Sequence, residues 1–199
     1  MDLNQIINGK YQEVGYFNTP SVSDGFGVYV SGNVGYLVAG STLYTFDVSS
    51  KIGSRAQLDS ITLPGTGNKV VVNGTYAYIA LGTSSKEMQI VDVSNPSDLS
   101  LLGYTEVDPQ NVNSGDVAID IFVNETGTRT YVVIEAATNL SEFYIIDTTT
   151  KTGSRPLVGS YEANGMSPKA VTVVTGNKAI IVGTSGEEYQ VIDITNEAS

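Results

Sequence analysis

Four aspartates close look-alike segments of this chain: LYTFDV at 43–48, MQIVDV at 88–93, FYIIDT at 143–148 and YQVIDI at 189–194. Carboxylates at a regular interval could ligate a cation or act as an acid–base pair. Here each of Asp47, Asp92, Asp147 and Asp193 ends a strand-like run. An Asp in that place accepts hydrogen bonds from the backbone amides of the next turn. As matching positions on separate repeats, the four would also be spread apart rather than gathered. A second acidic group, Asp108, Asp116 and Asp120, suggests calcium, but the D-x-D-x-D-G spacing is missing. The segments Lys51–Arg55 and Lys151–Arg155 share the pattern K-x-G-S-R. Gly-Ser amides beside Lys and Arg suit an anion, although a surface turn is the simpler reading. No GxGxxG or phosphate-loop pattern occurs.

What is missing narrows the chemistry further. The chain has no histidine and no cysteine. That removes Ser-His-Asp and Cys-His catalysis, thiolate and imidazole metal sites, and disulfides. We expect no cofactor, no metal and no enzyme. Twenty-one acidic residues stand against 10 Lys and Arg, for a net charge of −11. Nucleic-acid binding needs clustered basic residues, so that partner is not expected. No apolar run approaches the roughly 20 residues of a membrane helix, so no membrane insertion by this segment is expected. The start, MDLNQIINGK, lacks the basic and apolar regions of a signal peptide. The chain therefore reads as cytoplasmic or as a piece of a longer exported protein. The resemblance below favours the second, with an extracellular or cell-surface location.

The elements that would position any site are strands. The four aspartates recur at intervals of 45, 55 and 46 residues. Each interval holds short runs rich in Val, Ile, Tyr and Thr, punctuated by Gly, Asn and Ser. The turns SGN, NGT and TGN suit tight hairpins, because Gly and Asn tolerate positive φ. Repeats of this length made of four short strands predict an all-β fold: a β-propeller of four four-stranded antiparallel blades. The blades span about 26–63, 69–107, 117–163 and 169–194, within a single domain over 1–199. The last blade lacks a fourth strand, and residues 11–17, YQEVGYF, are expected to supply it from the N-terminus.

A longer echo overlies this period. K-x-G-S-R recurs at an offset of 100, and Gly82-Thr-Ser-Ser recurs as Gly183-Thr-Ser-Gly at 101. Blade one thus resembles three, and two resembles four. The run Tyr76–Ala80, the aliphatic-Asp-aliphatic triplets at 91–93 and 192–194, and the step Asn95-Pro96-Ser97 resemble the LVIVD-repeat family of β-propellers, related to YVTN-type surface-layer propellers. That resemblance implies exported or cell-surface proteins and supplies no catalytic motif. Such propellers usually carry six to eight blades. Four blades imply a small closed ring, two copies joined as a homodimer with an eight-bladed ring, or part of a longer chain.

The third repeat is about ten residues longer than its neighbours. The surplus lies in the link 107–116 and in 136–142, and in a propeller both loops lie on one face. Loops on a rigid scaffold carry binding, so Asp108, Asn111, Asn113, Asp116 and Asn139 are the expected ligand face. The triplets at Asn73, Asn124 and Asn139 match glycosylation acceptors but also read as plain turns. The leading functional reading is a non-catalytic module for protein interaction or assembly. Its rivals are a carbohydrate-binding or adhesin module and a carboxylate-based hydrolase or lyase.

Overall fold

The computed structural model describes residues 15–20, 23–50, 52–82, 85–108, 117–135 and 140–197. Among these there are strands and turns but no α-helix, so no helix is long and apolar enough to cross a membrane.

Strand β1 (Gly15–Tyr16) comes first. Sheet one holds β2 (Gly25–Ser31), β3 (Val34–Ala39), β4 (Thr42–Asp47) and, after the two-residue strand β5 (Gly53–Ser54), β6 (Gln57–Thr62). Sheet two holds β7 (Thr66–Asn73), β8 (Tyr76–Gly82), β9 (Met88–Asp92) and β10 (Ser100–Thr105). Sheet three holds β11 (Ala118–Val123), β12 (Arg129–Ile134), β13 (Phe143–Asp147) and, after β14 (Gly153–Ser154), β15 (Leu157–Tyr161). Sheet four has three strands, β16 (Ser167–Val174), β17 (Lys178–Thr184) and β18 (Tyr189–Asp193). Consecutive strands within each sheet are antiparallel. The hairpins turn on Gly32, Gly74 and Gly176, whose φ values of 57°, 59° and 87° lie where a side chain would strain the backbone.

Three apolar clusters lie between successive sheets. The middle strands show why. Along β8, Ala77, Ile79 and Leu81 pack toward sheet one, while Tyr78 and Ala80 pack toward sheet three. Along β12, Val132 and Ile134 face sheet two, while Tyr131 and Val133 face sheet four. Side chains alternate across a strand, so a strand held between two sheets is apolar on both faces and reads as a continuous hydrophobic run.

Two short parallel pairings were not foreseen from sequence. Gly153 and Ser154 of β14 pair with Gly103 and Tyr104 of β10, adding a fifth strand to sheet two. Gly53 and Ser54 of β5 pair in the same way with Gly15 and Tyr16 of β1. The Gly-Ser pairs of the two K-x-G-S-R segments are therefore hooks: β14 clasps the outer strand of sheet two, and β5 clasps β1. Of the segment 11–17 expected to complete the last blade, residues 11–14 lie outside the described residues. Among the described residues β1 pairs with β5, and β18 pairs with β17 alone.

Candidate interaction surface

The four strand-end aspartates cap their own turns. Asp47 Oδ1 accepts the amide of Ser49 at 2.7 Å, Asp92 that of Ser94 at 2.8 Å, Asp147 that of Thr149 at 2.8 Å and Asp193 that of Thr195 at 2.9 Å. Hydrogen bonds from the following Ser or Thr hold the carboxyls of Asp47, Asp92 and Asp147 below the usual range. For Asp193 the ion pair with Lys178 is the largest cause of the same shift.

The hooks are likewise engaged with the protein itself. The Lys151 ammonium donates to the carbonyls of Gly127 and Thr148 and lies 5.4 and 5.6 Å from the ring centres of Tyr76 and Tyr78. Arg155 donates to the carbonyls of Thr150 and Ser154. Lys151 thus reaches from sheet three to the tyrosines of sheet two, while the Arg155 side chain bonds within its own hook. Asn73 donates to the carbonyls of Asn124 and Glu125, tying its hairpin to that of sheet three, and Asn124 accepts the amides of Thr128 and Arg129, closing its own turn.

On the expected ligand face, Asn111, Asn113, Asp116 and Asn139 lie outside the described residues. Asp108 is described and is buried. Next to it in sequence, Val107 meets an acidic seam that includes Glu142. Buried Glu87 accepts the Val107 amide at 2.6 Å, and buried Glu142 accepts the Ala163 amide at 2.7 Å. Burial pushes the Glu142 carboxyl up, and neighbouring Glu162 adds to the rise. The Tyr144 hydroxyl is pushed up to about 12, mainly by burial, with the charges of Glu142, Glu87 and Glu162 contributing. Glu87 and Glu142 each tie the start of a third strand to the end of a fourth. The signal was present in the sequence: Glu87, Glu142 and Glu188 each stand five residues before a strand-end aspartate. Among the described residues no group of acidic side chains is arranged to hold a metal ion.

The most exposed apolar surfaces lie at the two ends of the sheet series. Val28 and Val30 of β2 occupy the places of Ile121 and Val123 in β11. The first pair is 62% and 56% exposed, the second 3% and 8%. Tyr189 and Val191 of β18 occupy the places of Met88 and Ile90 in β9. They are 58% and 53% exposed, whereas both residues of β9 are fully buried. Sheet one thus offers the face that sheets two, three and four each press against a predecessor. Sheet four offers the face that the first three press against a successor. Against sheet one, Tyr16, Phe17, Val28, Val30, Leu37 and Phe46 line a largely apolar groove of about 640 Å³. Phe17 stacks on Phe46 there, with ring centres 4.7 Å apart.

Comparison with known proteins agrees with this architecture. Residues 64–106 match the LVIVD repeat model. No curated protein matches the chain. The fold is similar to that of the computationally designed Ika4 protein, with a TM-score of 0.69 and 10% identity over 92% of this chain and 99% of that one. It is also similar to the β-propeller domain of Cps50 (Swd1) from Myceliophteria thermophila, with a TM-score of 0.57, 11% identity and coverage of 81% and 49%. A candidate 6-phosphogluconolactonase from Bacteroides uniformis gives 0.69, 15% identity and coverage of 92% and 56%. The chain spans about half the length of the last two. At such identities the likeness concerns the fold alone.

Proposed function

We propose that this chain, which carries an LVIVD repeat within a propeller-type fold, is a non-catalytic module that joins protein surfaces, part of an exported or cell-surface protein. It supplies four blades of a propeller, the last short of its outer strand. The observation that carries this reading is the pair of end faces. Positions that are buried or partly buried at the internal blade contacts stand open at Val28 and Val30 and at Tyr189 and Val191. Contiguous exposed apolar surface of this kind marks contact sites. The cell-exterior setting rests on the family resemblance. The glycan-binding reading keeps one observation in its favour: the exposed Tyr16 and Asn33 line the same groove.

Site-specific photo-cross-linking in the producing cells tests the proposal. A benzophenone side chain is placed at position 28, at position 191 and, as a control, at the exposed polar Ser60. Protein adducts at 28 and 191 but not at 60 are expected. Adducts at neither end face would overturn the reading. Retention on glycan arrays that is lost in Tyr16→Ala would favour the glycan alternative.

A further inference from the structure

We propose that the protein joining the two end faces is a second copy of this chain, with β18 of each copy pairing with β1 of the other, so that two arcs close one ring of eight blades. This rests on the assembly reading above and specifies its partner.

The first argument is the position of β1. In sheet two, the outer-strand segment Gly103–Tyr104 is clasped by the β14 hook, and the Arg155 amide donates to the Tyr104 carbonyl at 2.7 Å. Gly15–Tyr16 is clasped by the β5 hook in the same register, and the Arg55 amide donates to the Tyr16 carbonyl at 2.7 Å. Strand β1 is therefore held as the outer strand of a blade that precedes sheet one. Among the described residues, β1 pairs with β5 alone, and no inner strand of that blade lies beside it.

The second argument is which blade fits. The hook of sheet three holds sheet two, whose third strand carries Gln89. Gln89 Nε2 donates to the Gly103 carbonyl of its own outer strand at 2.9 Å. Sheet four is of the same type, with Gln190 in the matching place, and its sheet ends at β18. Gln190 Nε2 turns instead to the Ala163 carbonyl of sheet three, and its Oε1 is buried without a hydrogen-bond partner. An outer strand beside β18 would restore the arrangement seen in sheet two. Glu188, exposed here, would meet the end of that strand as Glu87 and Glu142 meet theirs.

The third argument is that both open faces are halves of one contact that the chain already makes three times. Two copies related by a two-fold axis cover all four faces at once and leave no end open. Equivalence with the pairing of Tyr104 with Gln89 places Tyr16 opposite Gln190 of the partner.

The test combines solution mass with a disulfide trap, which is clean because the chain has no cysteine. Light scattering should give twice the chain's 21.0 kDa. Val28→Glu and Val191→Glu should each return the monomer with an unchanged circular-dichroism spectrum. Tyr16→Cys and Gln190→Cys variants, unfolded together, refolded and oxidised, should form a disulfide between different chains, since opposed residues in an antiparallel pair lie within bridging distance. A monomer at every concentration, an intrachain disulfide in a chain carrying both Tyr16→Cys and Gln190→Cys, or open-ended oligomers would each overturn the closed dimer. Cross-linking to a different protein at positions 28 and 191 would leave the joining function standing while removing the second copy as its partner.

Discussion

Arg55 donates its backbone N–H to the carbonyl of Tyr16 at 2.7 Å, tying the first described strand to sheet one from outside. Among the described residues this contact, with the pairing of β1 and β5, is what places the first strand. The hook's internal copy provides the first test. At Gly103 an added Cβ would meet the Lys151 carbonyl oxygen at 2.6 Å and that of Gly153 at 3.0 Å. Both are backbone atoms, so the hook must move. Gly103→Ala should cost about 1–3 kcal/mol, the usual range for overpacking. Hydrogen exchange should show the Arg155 amide losing protection while those of β8 keep theirs. An Arg155 amide that stays protected would contradict the hook.

Equivalent positions in sheets two and four should differ in energetic weight. Met88 is fully buried and Tyr189 is mostly exposed. Met88→Ala should destabilise the chain by about 2–5 kcal/mol at any protein concentration. Tyr189→Ala should change the stability of the dilute chain by less than about 0.5 kcal/mol. Urea unfolding at two concentrations checks both, and equal costs would refute the open end face.

The buried Glu142 carboxyl should make stability fall as pH rises. Its folded value is raised, chiefly by burial. The folded chain therefore keeps this proton to higher pH than the unfolded chain, whose Glu titrates near about 4.3. The group's contribution is fully present below that value and is lost as pH climbs through the folded one. Glu142→Gln can still accept the Ala163 amide and should flatten the change in urea midpoint between about pH 4.5 and 7.5. A variant with the same slope as the parent would show that Glu142 does not titrate in this window.

The turn-capping aspartates should act in the opposite sense. Asp92 is lowered by the hydroxyl and amide of Ser94. Its contribution is present above the unfolded value of about 3.9 and is lost as pH falls through the folded one. Asp92→Ala should cost about 1 kcal/mol or less at neutral pH, because the bond is at the surface. The gap between variant and parent should close in acid. A gap that persists below about pH 2 would mean that packing, not charge, is responsible.

Much of the fold was legible because its signals are local. The apolar runs, the Gly-Asn turns and the strand-end aspartates each depend on a few adjacent residues, and repetition at 45 to 55 residues marked the unit. The family resemblance at Tyr76–Ala80 and Asn95–Ser97 lies inside the matched segment 64–106. The candidate surface was less legible. The K-x-G-S-R segments were visible as a recurrence, but their hooking role depends on a neighbouring sheet 50 residues away in sequence at Tyr104 and Ser154. Glu87 and Glu142 gave a regular spacing that went unread, since a glutamate beside an apolar run looks like solvated surface until the next strand covers it.

The sequence by itself determined the all-β class, the strand units, the absence of histidine and thiol chemistry, and the pairing of alternate repeats. Those follow from residue type and spacing, which act over one or two strands. Only the tertiary structure decided which of the identical-looking apolar faces are covered. Val28 and Ile121 carry the same pattern and have opposite environments, because burial depends on whether another sheet lies alongside, and no local signal records that.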